Sequence, residues 1–212
     1  MSSDLADTRE PLTRERVVLG AIEIADAKGL SALSMRGLAK HLGFEVMSLY
    51  NHIANKTDLI QAMVDQVASE AERPPIGVSD WYDAIRANAI AVKTALTDHP
   101  WAASIWSSTM PGPERFRLME WQLATMATAD LDEETAHHTF HAVGNHTVGY
   151  AMQSAVMPVD DDLHTLAIEV MNSLDPTEFA HTQAHIAQHI DGHHGPSFEF
   201  VLDIILAAVS QR

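Results

Sequence analysis

Residues 33–56 read LSMRGLAKHLGFEVMSLYNHIANK, and this stretch decides the amino-terminal fold. Ser34 stands as an N-cap before MRGLAKHL, and Gly43 stops that run. A three-residue turn leads into VMSLYNHI, and Asn55 then caps KTDLIQAMVDQVASEA. Leu38, Ala39 and Leu42 share one face of the first short helix, and Val46, Leu49 and Ile53 share one face of the second. Packed together they make a helix-turn-helix, with a small Ala39 for close approach and Gly43 for the backbone freedom of the turn. Upstream, RERVVLGAIEIADAK over residues 14–28 places Val17, Val18, Ala21, Ile24 and Ala25 at helical spacing between Thr13 and Gly29. The expected head is a three-helix unit of the geometry that sets a second helix into a DNA major groove.

Working outward, the 212 residues are 46% hydrophobic but only 6% aromatic, which favours helices over strands. The chain contains no cysteine, so disulfides and thiolate metal sites are excluded and a cytoplasmic location is expected. The first ten residues, MSSDLADTRE, do not have the pattern of a signal peptide, and no apolar run approaches the ~18 residues of a membrane span. The net charge of −16 argues against a general nucleic-acid coat. It is unevenly distributed, however. Residues 9–58 hold seven basic and six acidic side chains, whereas residues 73–212 hold six and eighteen. Only the amino-terminal segment would tolerate phosphate.

The segment RPPIGVSD at 73–80 is the clearest boundary. The expected division is a DNA-binding head at 9–58, a connecting helix and linker at 59–79, and an all-α body at 80–212. Helical runs in the body are expected near 80–98, 100–108, 113–129, 132–157, 162–173, 177–190 and 196–210, separated by proline and glycine breakers.

Across residues 14–72 the chain resembles the tetracycline-repressor (TetR) family. The resemblance is carried by Ala25 to Leu30, by LSMRGLAKHLGF and by SLYNHIANKTDLI. FEFVLDIILAAV near the carboxyl end looks like the last helix of that family's tetracycline-repressor-like branch. The resemblance implies that Val46 to His52 is the recognition helix. Arg36 then suits a guanine edge, and Met47 and Tyr50 suit thymine methyl groups. Ser48 and Asn51 suit bases or phosphates. Ser34, His52 and Lys56 suit phosphate. Glu45 is expected to accept from a cytosine amine or to restrain Arg36. Glu45 and Val46 stand where the family pattern often has a small polar residue and a proline, which bears on base preference rather than docking mode.

The body shows no catalytic constellation: no phosphate loop, no HExxH, no nucleophile elbow. Trp81, Trp101, Trp106 and Trp121 fall close together among Met110, Phe116, Met119 and Met126. Such large, soft side chains are ordinary core or the lining of an apolar cavity. The resemblance favours an effector pocket, expected to involve Trp101, Trp106, Met110, Phe116 and Trp121. His141, Asn145, Val148 and Met152 lie on one face of the 132–157 helix and are assigned to the same pocket. The opposite face, with Phe140, Thr147 and Ala151, is assigned to a dimer seam with Val201, Ile205 and Val209 of the last helix. The resemblance implies that these two helices, taken twice, form a four-helix interface.

Ten of the thirteen histidines lie between 137 and 194. His181, His185 and His189 form an i, i+4 ladder followed by His193 and His194, but no companion carboxylate or cysteine is convincingly placed, so no metal and no cofactor are expected. The expected function is a homodimeric, ligand-responsive repressor on a palindromic double-stranded operator, not an enzyme. Its effector would be a small apolar or aromatic molecule, and a strongly anionic one is disfavoured by the acidic body. The alternative is a helical enzyme or metal sensor using the histidine-rich region.

Overall fold

In a computed structural model that describes residues 11–156, 161–190 and 197–210, no strand occurs among the described residues. The head comprises α1 (Arg14–Lys28), α2 (Met35–Leu42), α3 (Val46–Leu49) and α4 (Lys56–Ser69). The body comprises α5 (Trp81–Asp98), α6 (Pro100–Ile105), α7 (Pro113–Met126), α8 (Glu133–Val156), α9 (Asp161–Ser173), α10 (Ala180–Ile190) and α11 (Phe198–Ser210). The expected helical runs thus form in order. Arg9, Pro158, Asp160, His193 and His194 lie outside the described residues.

Local chemistry sets the helix ends. The Thr13 hydroxyl accepts from the Arg16 N–H at 3.1 Å, Ser34 from Gly37 at 3.1 Å, and Asn55 from Asp58 at 2.9 Å. Gly43 closes α2 in the left-handed region at φ 73°, and Phe44 N–H reaches back to the Ala39 carbonyl at 2.9 Å. The helix α3 is shorter than the sequence suggests: residues 50–52 form a turn rather than its last coil. Arg14 takes the His52 carbonyl at 2.8 Å and Asn55 caps α4, so the chain turns between the two helices while Ile53 stays buried.

Leu38, Ala39, Leu49 and Ile53 are buried together as the pattern requires, with Leu42 and Val46 packed at the margin. Each such aliphatic side chain contributes about 1.5–3 kcal/mol relative to exposure. The same core continues through Leu59, Met63, Val64 and Val67 of α4 into Leu96, Trp101, Ala102 and Leu118 of the body. A second apolar cluster joins Ile85 and Ala89 of α5, Met126 of α7, Val143 of α8, and Phe198, Leu202 and Leu206 of α11. The loop between α4 and α5 is pinned near its start by two side chains of the body. Asn88 Nδ2 donates to the Glu72 carbonyl at 2.8 Å, and Trp121 Nε1 donates to the Pro74 carbonyl at 2.8 Å. The hairpin of α9 and α10 packs chiefly upon itself. No helix among the described residues is long and apolar enough to cross a membrane.

Candidate functional site

One exposed surface of the head is the face of α2, α3 and the following turn. Arg36, Glu45, Met47, Tyr50, Asn51 and Lys56 are exposed, and Ser48, Val46 and His52 are partly so. Met47 is 74% exposed, which an apolar side chain does not reach in a closed core. Tyr50 is 43% exposed, so it does not fill the core. Among the described residues no ion pair joins Glu45 to Arg36, so the expected restraint is not formed. Two of the expected phosphate donors are also structural. Ser34 caps α2, and Lys56 Nζ donates to the Leu33 carbonyl at 2.6 Å. Arg14 braces the base of this surface: it bonds both Asp58 oxygens, at 2.7 and 3.2 Å, and the His52 carbonyl at 2.8 Å. The Arg14 hydrogen bond holds the Asp58 carboxyl below the usual carboxylate range.

The body contains a cavity of about 140 Å³ bounded by α5, α7, α8 and the end of α6. Ala89 and Val92 of α5 form one wall. Arg115, Leu118, Met119 and Gln122 of α7 form another, with Pro111 and Trp106 at one end. Phe140, Val143, Gly144, Thr147 and Val148 of α8 complete it. Only part of the expected pocket is here, because Trp106 and Val148 line the cavity and the others do not. Trp101 is buried at the junction with the head, its Nε1 bonded to Asp26 at 2.6 Å. Trp121 packs in the second cluster. Met110 and Phe116 are 70% and 50% exposed.

The helix α8 is also turned the other way from the expectation. Phe140 and Thr147 face the cavity and Ala151 is buried, whereas His141, Asn145 and Met152 are exposed. The reason is that α8 has apolar residues on both faces, so periodicity alone does not choose between them. The side that packs on α5 is the one without imidazoles; His137 and His141, 4.6 Å apart by ring centroids, stay in water. On α11, Val201, Ile205 and Val209 are intermediate in exposure, with Ile205 packed on the second apolar cluster, while Phe200 and Ile204 are 64% and 53% exposed. His181 and His185 are exposed on α10, and no group of three potential metal-ligating side chains comes together among the described residues.

Sequence reasoning missed Arg115, Gln122 and Asn88. A signal was present in Arg115, one of only six basic residues in an acidic body. Its guanidinium donates to the Thr109 and Trp106 carbonyls at 2.9 and 2.7 Å and lies 4.5 Å over the Trp106 ring. Gln122 Nε2 donates to Asn88 Oδ1 at 2.9 Å. Two links tie this cavity to the head. The Asp65 carboxylate of α4 caps α7, accepting from the Glu114 and Arg115 N–H groups at 2.9 Å each. At the start of α6, His99 lies between Asp26 of α1 at 2.8 Å and Glu70, just past the end of α4, at 3.2 Å. Burial alone would lower the His99 pKa, but the hydrogen bonds and charges of Asp26 and Glu70 outweigh it and raise the pKa above 6.5.

A helix-turn-helix head with an exposed second helix, fused through a shared core to a helical body with a cavity between its helices, defines a one-component DNA-binding regulator. The family model for bacterial regulatory proteins of the tetR family matches residues 18–63, and the tetracyclin repressor-like C-terminal domain matches residues 73–212. The chain belongs to the TetR family of DNA-binding transcriptional regulators. It is 32% identical over 160 residues to an HTH-type transcriptional regulator of Saccharopolyspora erythraea, covering 74% of this chain and 67% of that one. It is 34% identical over 142 residues to the HTH-type transcriptional repressor DrrR1 of Streptomyces coeruleorubidus, covering 66% of this chain but only 53% of that one. Among solved structures it is similar to ActR of Streptomyces coelicolor. The apo form gives a TM-score of 0.80 at 26% identity, covering 95% of this chain and 96% of that one. The actinorhodin complex gives 0.78 at 27% identity, covering 94% and 97%.

Proposed function

We propose that this protein is a cytoplasmic, homodimeric repressor that leaves a palindromic operator when a small aromatic effector enters the body cavity, and that it performs no catalysis. The observation that supports this reading most directly is the Asp65 cap. A helix that lines the cavity begins on a carboxylate carried by α4, the helix that follows the head's exposed surface. A ligand that repositions α7 therefore acts on α4, and through it on the spacing of two heads in a dimer. The effect requires that the ligand bind one dimer geometry better than the other. The relatives support the two halves of this reading: one is named a repressor, and ActR has been solved with actinorhodin.

In the dimer, α8 and α11 of the two copies meet, with Phe200 and Ile204 supplying apolar contact. On DNA, Val46 to His52 enters the major groove, Arg36 reads a base edge, and Ser34 and Lys56 hold phosphates. Selection from a random duplex pool tests this. The selected sites should contain inverted half-sites about one helical turn apart. Arg36→Ala should lose about 1–3 kcal/mol of discrimination at particular base pairs. Equal losses on selected and random DNA would reduce Arg36 to a phosphate contact.

A further inference from the structure

The cavity carries one charge, and it has the opposite sign to the body around it. Of the residues that line it, Arg115 alone is ionisable. The body's other described arginines all hold carboxylates: Arg73 and Arg117 bond Glu114, and Arg86 bonds Glu199 and Asp203. Arg115 instead bonds two backbone carbonyls. The acid that most influences it, Asp65, commits both oxygens to backbone N–H groups at the start of α7. Two of the five guanidinium donors are thus used, and neither is matched by an anion. In a chain of net charge −16, a half-buried arginine at a cavity wall that bonds no carboxylate is an unfilled requirement for negative charge.

We propose that the effector is an aromatic carboxylate, with its anionic group on Arg115 and its ring between Trp106, Phe140 and Met119. The proposal rests on the reading of this cavity as the effector site. A volume of about 140 Å³ holds about one aromatic ring, since a dry apolar cavity of roughly 150 Å³ takes up benzene. The guanidinium fork matches a carboxylate in plane and spacing, and such charge-assisted bonds are about twice as strong as neutral ones. Gln122 donates its amide to Asn88, which leaves its oxygen as the acceptor for a ring hydroxyl. The acidity of the body as a whole disfavours anions at long range. Salt at physiological ionic strength screens that average over roughly 8 Å, whereas the contact at Arg115 is direct. The expectation from net charge, that the effector would not be anionic, is replaced by the field at the cavity itself.

Calorimetric titration of the purified full-length protein at pH 7.5 tests this with 4-hydroxybenzoate against its neutral counterpart 4-hydroxybenzamide. The acid should bind at least about tenfold more tightly than the amide. Arg115→Gln should bring the two to equal affinity, and Arg115→Lys, which keeps the charge and controls for folding, should retain part of the preference. An arginine that merely closes the loop between α6 and α7 would not distinguish acid from amide. Equal binding of the two by the unaltered protein, a preference that survives Arg115→Gln, or binding of neither overturns the proposal. Val148→Trp separates that failure from failure of the cavity reading. If the amide binds the parent protein but not Val148→Trp, the cavity stands and only the anion assignment falls. If it binds both equally, the cavity is not the ligand site.

Discussion

Asp65 and Gly112 form a fitted pair. A Cβ at position 112 would lie 2.6 Å from the Asp65 carboxyl carbon, so only glycine lets the carboxylate reach the first turn of α7. Gly112→Ala should therefore destabilise the protein by about 1–3 kcal/mol through overpacking, and Asp65→Ala by about 0.5–2 kcal/mol through the lost cap. Urea titration measures both. If the reading is right, Gly112→Ala should cost little more once Asp65 is already alanine, because the two changes disrupt the same contact. His99 makes a second junction with a sign that can be checked. Its folded pKa is raised, so the ion pairs with Asp26 and Glu70 contribute fully below 6.5 and are lost as pH rises through the folded value. The stability of the parent protein relative to His99→Gln should fall across that window. A difference that is flat, or that grows with pH, would remove the junction's electrostatic role.

The last helix shows how an element can be apolar on more than one side. Phe198, Leu202 and Leu206 of α11 are buried against α5 and α8. Arg86 fixes the rotation of the helix, bonding Asp203 and Glu199 at 2.7 Å each, and this contact holds the Asp203 carboxyl below the usual range. That leaves Phe200 and Ile204 outward, so the two positions make opposite predictions. Ile204→Glu should give a folded monomer by light scattering, with helicity preserved. Ile205→Glu should lower the thermal midpoint, because its carboxylate would lie against the margin of the protomer's own second apolar cluster. If Ile204→Glu stays dimeric with unchanged affinity, the seam lies elsewhere on the body.

Charge over the full chain keeps DNA to one surface. The acidic body repels phosphate, so the head should bind with log affinity falling steeply as log salt rises. Lys56→Ala should weaken all duplexes alike, and should also cost stability, since Lys56 Nζ holds the Leu33 carbonyl beside the start of α2. Filter binding and thermal melting on the same variant separate the two effects.

The amino-acid order alone determined the head, apart from the length of α3. Short-range signals settle it: caps at Thr13, Ser34 and Asn55, a left-handed glycine at 43, and apolar faces four residues apart. They act within a turn or two of helix, so they are readable without knowing what lies opposite. The order of body helices followed for the same reason, from the prolines and glycines between them. The rotation of α8 and α11 was not readable, because each carries apolar residues around more than half its circumference. Which side faced inward depended on partners far along the chain: Ala89 and Val92 against α8, and Arg86 against α11. Trp101 likewise looked like cavity lining, yet became a link to Asp26 across 75 positions. Arg115 stood in plain sight as a rare basic residue, but only packing put its charge at a cavity wall and its acidic neighbour onto backbone N–H groups. Local propensity is additive along the chain, whereas the choice among equivalent helix faces is made by long-range contact.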